Sequence, residues 1–521
     1  MPPPPKTFST PQAVVASTIL RDDPHQDAVV ACNDSLIVAE AFAGSGKTTM
    51  AIRYAAARPS SSILYICFGK ANQLNAAARF SKNTECRTGH SLAYGAVGHK
   101  FKISKSWKAR DLASESNLDN RMAGMVVDTL GKFFSSTQLT PSIEHVAEIA
   151  DKWDLKPSEL GAVLSQSKFI WSKLQMPSTG MSMPPDGYLK LWALSKPNLS
   201  KYSHIILDEA QDTNPVMIEV VQRQNHATRL IVGDRHQSIY LFRGAVNAME
   251  QFAASGATVL KMPKSYRFGT EIAAKASAVL SFFKGEDTAI IGAGPSGAQQ
   301  IGGKKAVLAR TNAGVLEAAA EVLGRGTHWV GGIESYRIEM MLDSFLLKSN
   351  KHSQIRDPYF AKFQSWDEYV EQVESTKDAE GRMLISMNEK YGKDIPYLTT
   401  CFRQNALPTE AGAKLVLSTV HRAKGLDFDS VVIADDFDAT GKALDEFRLL
   451  PNEPLSPGMA QEMNLLYVAI TRAKQSLKLN AATADFMKKL PTYRNEIAEL
   501  SAKHLALDAH KNEAAEQVCT P

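Results

Sequence analysis

Short apolar runs interrupt a chain whose remaining periodicity is mostly helical. Ile37-Val38-Ala39-Glu40-Ala41 is the first and Ser62-Ile63-Leu64-Tyr65-Ile66-Cys67-Phe68 the second, and Met50–Ala57 between them is a helix-forming run. This β-α-β order predicts a parallel sheet. Gln26-Asp27-Ala28-Val29-Val30-Ala31 reads as a helix ahead of the first strand. Core-type strands return at His204–Leu207 and Arg229–Gly233, then at Lys304–Ala309, Lys414–Ser418 and Ser430–Ala434. Helical patterns dominate from about Tyr94 to Asp186, with Lys and Arg scattered through Lys100–Arg110. From about Val330 to Ala413 the chain is polar, aromatic and largely helical, and beyond Met487 it is a polar Ala/Glu/Lys-rich helix. No repeat of fixed period is present. The predicted class is α/β, with two parallel-sheet domains that each carry a helical insertion.

Composition narrows the class. At 521 residues, 44% hydrophobic and 22% charged, the chain is globular and large enough for several domains. No apolar run approaches a membrane span, and the Pro-rich start at Met1–Pro5 lacks a signal-peptide core. Cys32, Cys67, Cys86, Cys401 and Cys519 are scattered, which favours a reducing compartment over structural zinc or a disulfide framework. The net charge of +4 permits a polyanionic partner without demanding one.

Chemistry concentrates at the strand ends. Ala41-Phe42-Ala43-Gly44-Ser45-Gly46-Lys47-Thr48-Thr49 joins the first strand to its helix. Glycines let backbone N–H groups curl around phosphate, the helix N-terminus adds its dipole, Lys47 can reach the terminal phosphates and Thr48 can ligate magnesium. Ala41 stands where the strict pattern has glycine. After the His204–Leu207 strand, Asp208 is suited to magnesium and Glu209 to orienting and deprotonating a water. After the next strand, Gln237 is placed to sense a γ-phosphate, and Tyr240 and Phe242 offer faces for base stacking.

Together these motifs resemble UvrD/Rep-type superfamily 1 helicases. Further matches follow in the family's order: Cys67-Phe68-Gly69-Lys70, Thr88-Gly89-His90-Ser91, Ser265-Tyr266-Arg267-Phe268-Gly269, Ala309-Arg310-Thr311-Asn312, Thr419–Phe428 and Leu466–Lys474. The resemblance covers roughly residues 10–485. It is strongest to the F-box DNA helicase branch, through Asp186–Trp192 and Arg356–Phe360. No F-box segment is expected ahead of the motor, so that branch's ubiquitin-ligase role is not carried over.

The resemblance implies two RecA-like motor domains of the P-loop NTPase class. Motor domain 1A would comprise 1–94 and 186–264, with insertion 1B at 95–185. Motor domain 2A would comprise 265–330 and 413–486, with insertion 2B at 331–412 and a tail at 487–521. ATP and Mg2+ are the implied cofactors. Ala43, Gly44, Ser45, Gly46, Lys47, Thr48 and Thr49 would wrap the phosphates, with Thr48 and Asp208 on the metal. Gln26 would read the adenine edge, Tyr266 would stack on the base, and Asp427 would lie near ribose and metal. Lys47, Asp208, Glu209 and Gln237 would carry hydrolysis, with Arg267 and Arg472 as arginine fingers, worth roughly 10³–10⁵ in rate. Single-stranded DNA would meet Phe68, Lys70, His90, Tyr240, Phe242, Arg243, Arg310, Asn312 and His421, and would be moved 3′→5′ as ATP closes the motor domains and hydrolysis reopens them.

The implied function is an ATP-dependent helicase acting on single strands and single-strand/duplex junctions, in repair or recombination control. It implies no membrane, a possible protein partner through 1B, 2B or the tail, and a cytoplasmic, nucleoid-associated location in a prokaryote or a nuclear one in a eukaryote. One rival, a translocase that strips recombinase filaments and unwinds weakly, shares every motif; the other, a nucleotide-gated DNA-binding subunit of a larger complex, is opposed by the intact Lys47, Asp208, Glu209, Gln237, Arg267 and Arg472. Departures are Asp427 in place of the family's glutamate, Gly89 in place of a common aromatic, and Met463 and Asn464 in place of frequent basic residues. Pro185-Asp186 could open a nuclease site, but the nearby Asp154-Leu155-Lys156 lies upstream in a helical context, and Asp435, Asp436 and Asp438 read as solvated loop.

Overall fold

A computed structural model describes residues 23–104, 107–239, 248–295, 304–375 and 378–518. The chain divides into two compact units, Met1–Pro263 and Lys264–Pro521.

The first unit is built on six strands: β1 (Leu36–Ala41), β2 (Ile63–Ile66), β3 (Thr84–Arg87), β4 (His204–Leu207), β5 (Thr228–Gly233) and β6 (Thr258–Met262). Their order is β3-β2-β4-β5-β1-β6, with every pairing parallel. Parallel strands are joined by crossovers that cover both faces, so the central ones are apolar throughout. That is why β1, β2, β4 and β5 stand out in the sequence. The edge strands β3 and β6 mix Thr, Glu, Arg and Lys with apolar residues, and the pattern misses them.

Between β3 and β4 the chain forms a helical insertion whose helices include Asn120–Ser135, Ile143–Trp153, Pro157–Leu174 and Pro185–Leu194. Phe133 and Phe134 pack on Trp171 with ring centroids 5.3 and 5.5 Å apart. Lys190 is buried here, its ammonium donating to the carbonyls of Ser136 and Gln138 at 2.6 Å each and lying 4.5 Å from the Phe133 ring centre. Burial pushes its pKa down to about 8. The bonds tie the helix that feeds β4 to the insertion, and one core runs from Leu64 and Leu207 of the sheet through Tyr188 to Trp171.

The second unit has a small parallel pair, β7 (Lys264–Ser265) and β8 (Ile291–Gly292), and a larger sheet. That sheet comprises β9 (Lys305–Ala309), β10 (Thr327–Trp329), β11 (Ala406–Leu407), β12 (Leu415–Thr419), β13 (Phe428–Ile433) and β14 (Ala473–Lys478). The order is β11-β10-β12-β9-β13-β14, again all parallel. The sequence pattern finds β9, β12 and β13 and misses β10, β11 and β14, which are short or lie at an edge. Helices including Ile338–Lys348, Trp366–Ser375, Ala379–Tyr391 and Ile395–Asn405 fill the span from β10 to β11. Their aromatic core joins Trp329 to Phe402 and Tyr369 to Phe360, at 5.7 and 5.2 Å. The C-terminal helix runs Ala481–Val518, beginning before Met487 and passing through Pro491. No helix among the described residues is long and apolar enough to cross a membrane.

Truncating the aromatic centre of the first insertion tests this packing. Phe133→Ala should lower stability by about 3–5 kcal/mol, read from the denaturant midpoint of the first unit's unfolding transition.

Candidate active site and nucleic-acid interface

In the first sheet β1 lies between β5 and β6, while β4 lies between β2 and β5. The strand order reverses there, and α/β folds bind ligands beyond the carboxyl ends of strands at such a point. Gly44 and Gly46 close the turn after β1 with φ of +77° and +81°. At Gly46 a Cβ would stand 2.9 Å from Nε2 of Gln26. That amide donates to the Ser45 carbonyl at 2.9 Å, and Arg53 holds its oxygen at 3.3 Å. Gln26 therefore braces the loop. Ala43 is buried, and the Ser45 hydroxyl is buried without a hydrogen-bond partner among the described residues. Lys47, Thr48 and Thr49 form the first turn of helix Lys47–Ala56, and Arg79 reaches Thr49 Oγ1 at 3.4 Å.

Lys47 Nζ donates to Glu209 Oε2 at 2.7 Å, across the end of β5. Gln211 Nε2 donates to the same oxygen at 2.6 Å, and Gln211 Oε1 accepts the Asp234 N–H at 3.0 Å. Gln237 Nε2 in turn donates to Asp234 Oδ2 at 2.7 Å. Gly233 makes room for this chain, because a Cβ there would lie 2.4 Å from Gln211 Oε1. Glu209 itself sits at φ +53°, in the left-handed region that a non-glycine residue seldom adopts. Asp208 Oδ1 accepts the Glu209 N–H at 2.9 Å, and Oδ2 accepts the Tyr65 hydroxyl.

Burial first, and the adjacent Glu209 second, push the Asp208 carboxyl up to about 6, against the opposing pull of Lys47. Burial alone would lower Lys47, but the Glu209, Asp208 and Asp234 carboxylates outweigh it and hold the amine above its ordinary value. Burial and the Asp208 charge raise Tyr65, which stays a proton donor.

A cavity of about 1120 Å³ in the same unit runs from Asp208 past Phe68, Lys70 and His90 to Trp107 of the insertion. Phe68 is 47% exposed. His90 Nε2 lies 3.0 Å from Asp186 Oδ1, and its helix is fixed by a Thr88–Ser91 capping box. Lys70 opens helix Lys70–Ala77. Tyr240, Phe242 and Arg243 lie outside the described residues.

In the second unit, Arg267 Nη1 donates to the Thr471 carbonyl at 3.0 Å, with Nε 3.9 Å from Asp427 Oδ2. Asp427 also pairs with Lys474 at 2.7 Å. Arg472 is 1% exposed and donates to the carbonyls of Val468 and Leu426 at 3.1 Å each, and to Thr471 Oγ1 at 3.2 Å. Tyr266 has the Lys264 ammonium 5.3 Å from its ring centre. Arg310 forms a forked pair with Glu462, its Nε donating to the two oxygens at 3.0 and 2.8 Å. Asn312 begins helix Asn312–Ala320, and His421 lies on the turn Val420–Ala423. Met463 and Asn464 are buried. Asp435 and Asp438 are exposed, as the solvated-loop reading has them, and Asp436 departs from it. Asp436 accepts the N–H groups of Arg310 and Thr311 at 2.9 Å each, and Asp435 accepts the Ala481 N–H at 3.2 Å. Among the described residues no group of three or more His, Cys, Asp or Glu is arranged to hold a metal.

Residues 191–254 match the UvrD/REP helicase N-terminal domain, and residues 336–484 match the UvrD-like helicase C-terminal domain. The chain thus carries segments of both the N-terminal and the C-terminal UvrD-like helicase domains. This UvrD-like chain is 32% identical over 475 residues to F-box DNA helicase 1 of Gallus gallus, covering 84% of this chain and 47% of that protein. Against F-box DNA helicase protein 1 of Schizosaccharomyces pombe it is 28% identical over 512 residues, covering 87% and 57%. A probable DNA helicase II homolog of Mycoplasma genitalium is 24% identical over 300 residues, covering 49% and 42%. The chain spans about half the length of the two F-box relatives.

Sequence reasoning assigned no role to Gln211 or Tyr65 in this UvrD-like site. Gln211 was visible inside Asp208–Asp212, but its span to Asp234 depends on strand order. Tyr65 carries no local signal, because an apolar strand accepts tyrosine as readily as any core residue.

The Asp208 environment sets a pH dependence. Its folded value of about 6 lies above the ordinary 3.8, so the carboxyl favours folding only while protonated. That contribution is intact below about pH 4 and is lost as pH rises through about 6, a loss on the order of 3 kcal/mol. In EDTA at pH 8, Asp208→Asn should therefore melt at a higher temperature than the parent chain. The gap should shrink as pH falls from 6 toward 4.

Proposed function

We propose that this chain hydrolyses ATP to move 3′→5′ along single-stranded DNA and to open duplexes at single-strand/duplex junctions, in repair or recombination control. One observation carries the reading. Lys47, Glu209, Gln211, Asp234 and Gln237 form a single hydrogen-bonded chain across three adjacent strand ends, in the unit whose cavity leads from Asp208 to Phe68 and His90.

The loop fits a phosphate. Two left-handed glycines form the turn, the Ser45 hydroxyl is buried and unpartnered among the described residues, and Lys47 keeps its charge. Thr48 and Asp208 suit magnesium, which commonly takes one or two protein oxygens and completes its shell from phosphates and water. When bound, the ion would neutralise phosphate charge and supply an ordered electrostatic template.

The roles of the protein groups follow. Glu209 accepts the proton of the attacking water. Lys47 holds Glu209 in this structure; phosphate oxygens compete for the same ammonium, and Gln211 keeps the freed carboxylate oriented. Gln237 reports through Asp234 and Gln211 to Glu209. Ala43, Gly44, Gly46 and Thr49 complete the phosphate wrap, while Gln26 and Tyr266 take the base and Asp427 the ribose. Arg267 and Arg472 serve as arginine fingers, and Arg472 must exchange its present carbonyl partners to do so. Phe68, Lys70, His90, Tyr240, Phe242, Arg243, Arg310, Asn312 and His421 contact the strand. The helical insertions and the C-terminal helix offer surfaces to a protein partner.

Glu209→Gln should lower DNA-stimulated ATP hydrolysis about 10²- to 10⁴-fold while single-strand binding persists. Parent-like hydrolysis in that variant overturns the assignment of the base. Unwinding compared on 3′-tailed, 5′-tailed and blunt duplexes, with Lys47→Ala as control, tests polarity. Opening of only the 5′-tailed substrate overturns it.

A further inference from the structure

Tyr65 occupies the third position of β2, in parallel register with Ile206 of β4, two residues before Asp208. Its ring is 2% exposed and packs on Phe80 with centroids 4.6 Å apart. From this fixed platform the hydroxyl donates to Asp208 Oδ2, while the Glu209 N–H donates to Oδ1 at 2.9 Å. One donor comes from β2 and the other from the turn after β4, and they engage different oxygens, so together they set the rotation of a carboxylate that is itself 6% exposed. With the backbone donor alone, the carboxylate would be held at one oxygen and free to turn about its Cβ–Cγ bond.

We infer that Tyr65 is a positioning residue for metal binding: its phenol holds Asp208 in the orientation in which the carboxylate receives the magnesium of a magnesium–nucleotide complex. The inference rests on the proposed function, in which Asp208 is the acidic magnesium ligand. Partners that orient a metal ligand typically change metal affinity about 10- to 100-fold when removed. Phenylalanine at position 65 keeps the ring against Phe80 and deletes only the donor.

The test follows binding of N-methylanthraniloyl-ADP to the full chain by fluorescence anisotropy as Mg2+ is titrated, for the parent and Tyr65→Phe. Both melting temperatures are recorded in EDTA, and titrations are run well below them. The expected result is a Mg2+ midpoint about 10- to 100-fold higher in Tyr65→Phe, with binding in EDTA unchanged and maximal ATP hydrolysis approached at high Mg2+. A midpoint within about twofold of the parent overturns the inference, and a lower melting temperature with an unmoved midpoint does so too, because it marks a purely structural tyrosine. If nucleotide binding to the parent ignores Mg2+, the magnesium assignment of the proposed function fails and takes the Tyr65 role with it. The two failures are distinguished by the parent titration alone.

Discussion

The contact on which the candidate site depends is the 2.7 Å pair of Lys47 with Glu209. Two residues 162 positions apart meet because β1 and β4 flank the same strand. Neither charge is deeply at ease: both are largely removed from water, and a buried charge is tolerated only when paired and hydrogen-bonded. The pair supplies that compensation.

Gln211 extends the pair into a network that includes the end of β5. It donates to Glu209 and accepts from Asp234, and it fits only because position 233 has no side chain. Glu209 tolerates its left-handed backbone for a related reason: bonds from Lys47 and Gln211 over-determine the carboxylate and its own N–H is taken by Asp208. Strain of this kind costs about 1–3 kcal/mol and persists where surrounding contacts enforce it.

Behind the site, the helical insertion and the sheet share one core, so Asp208 and Glu209 are placed by a strand anchored on both faces. Lys190 shows how far the packing goes: the amine is buried against carbonyls, without a carboxylate bonded to it in the same cluster of contacts, and its pKa falls accordingly. In the second unit the strand ends also use polar bonds from side chains, part-buried or exposed. Asp436 brackets the start of helix Asn312–Ala320, and Glu462 orients Arg310. An acid that looks like solvated loop in the sequence is there a structural acceptor, because backbone N–H groups at a helix start need one.

The sequence by itself determined the parallel α/β class, the central strands other than the three-residue β10, and the residues at their carboxyl ends. Those features are local: continuous apolar runs, a glycine turn before a helix, and acids after a strand are legible wherever they occur. The edge strands β3, β6, β11 and β14 were not legible, because half-exposed or very short strands lack an unbroken apolar run. Tertiary structure alone decided that Gln26 braces the loop, that Gln211 spans two strand ends, that Tyr65 holds Asp208 and that Arg472 is buried among carbonyls. Each depends on which strands are neighbours and how far a side chain reaches across them, and hydrophobic periodicity carries neither quantity.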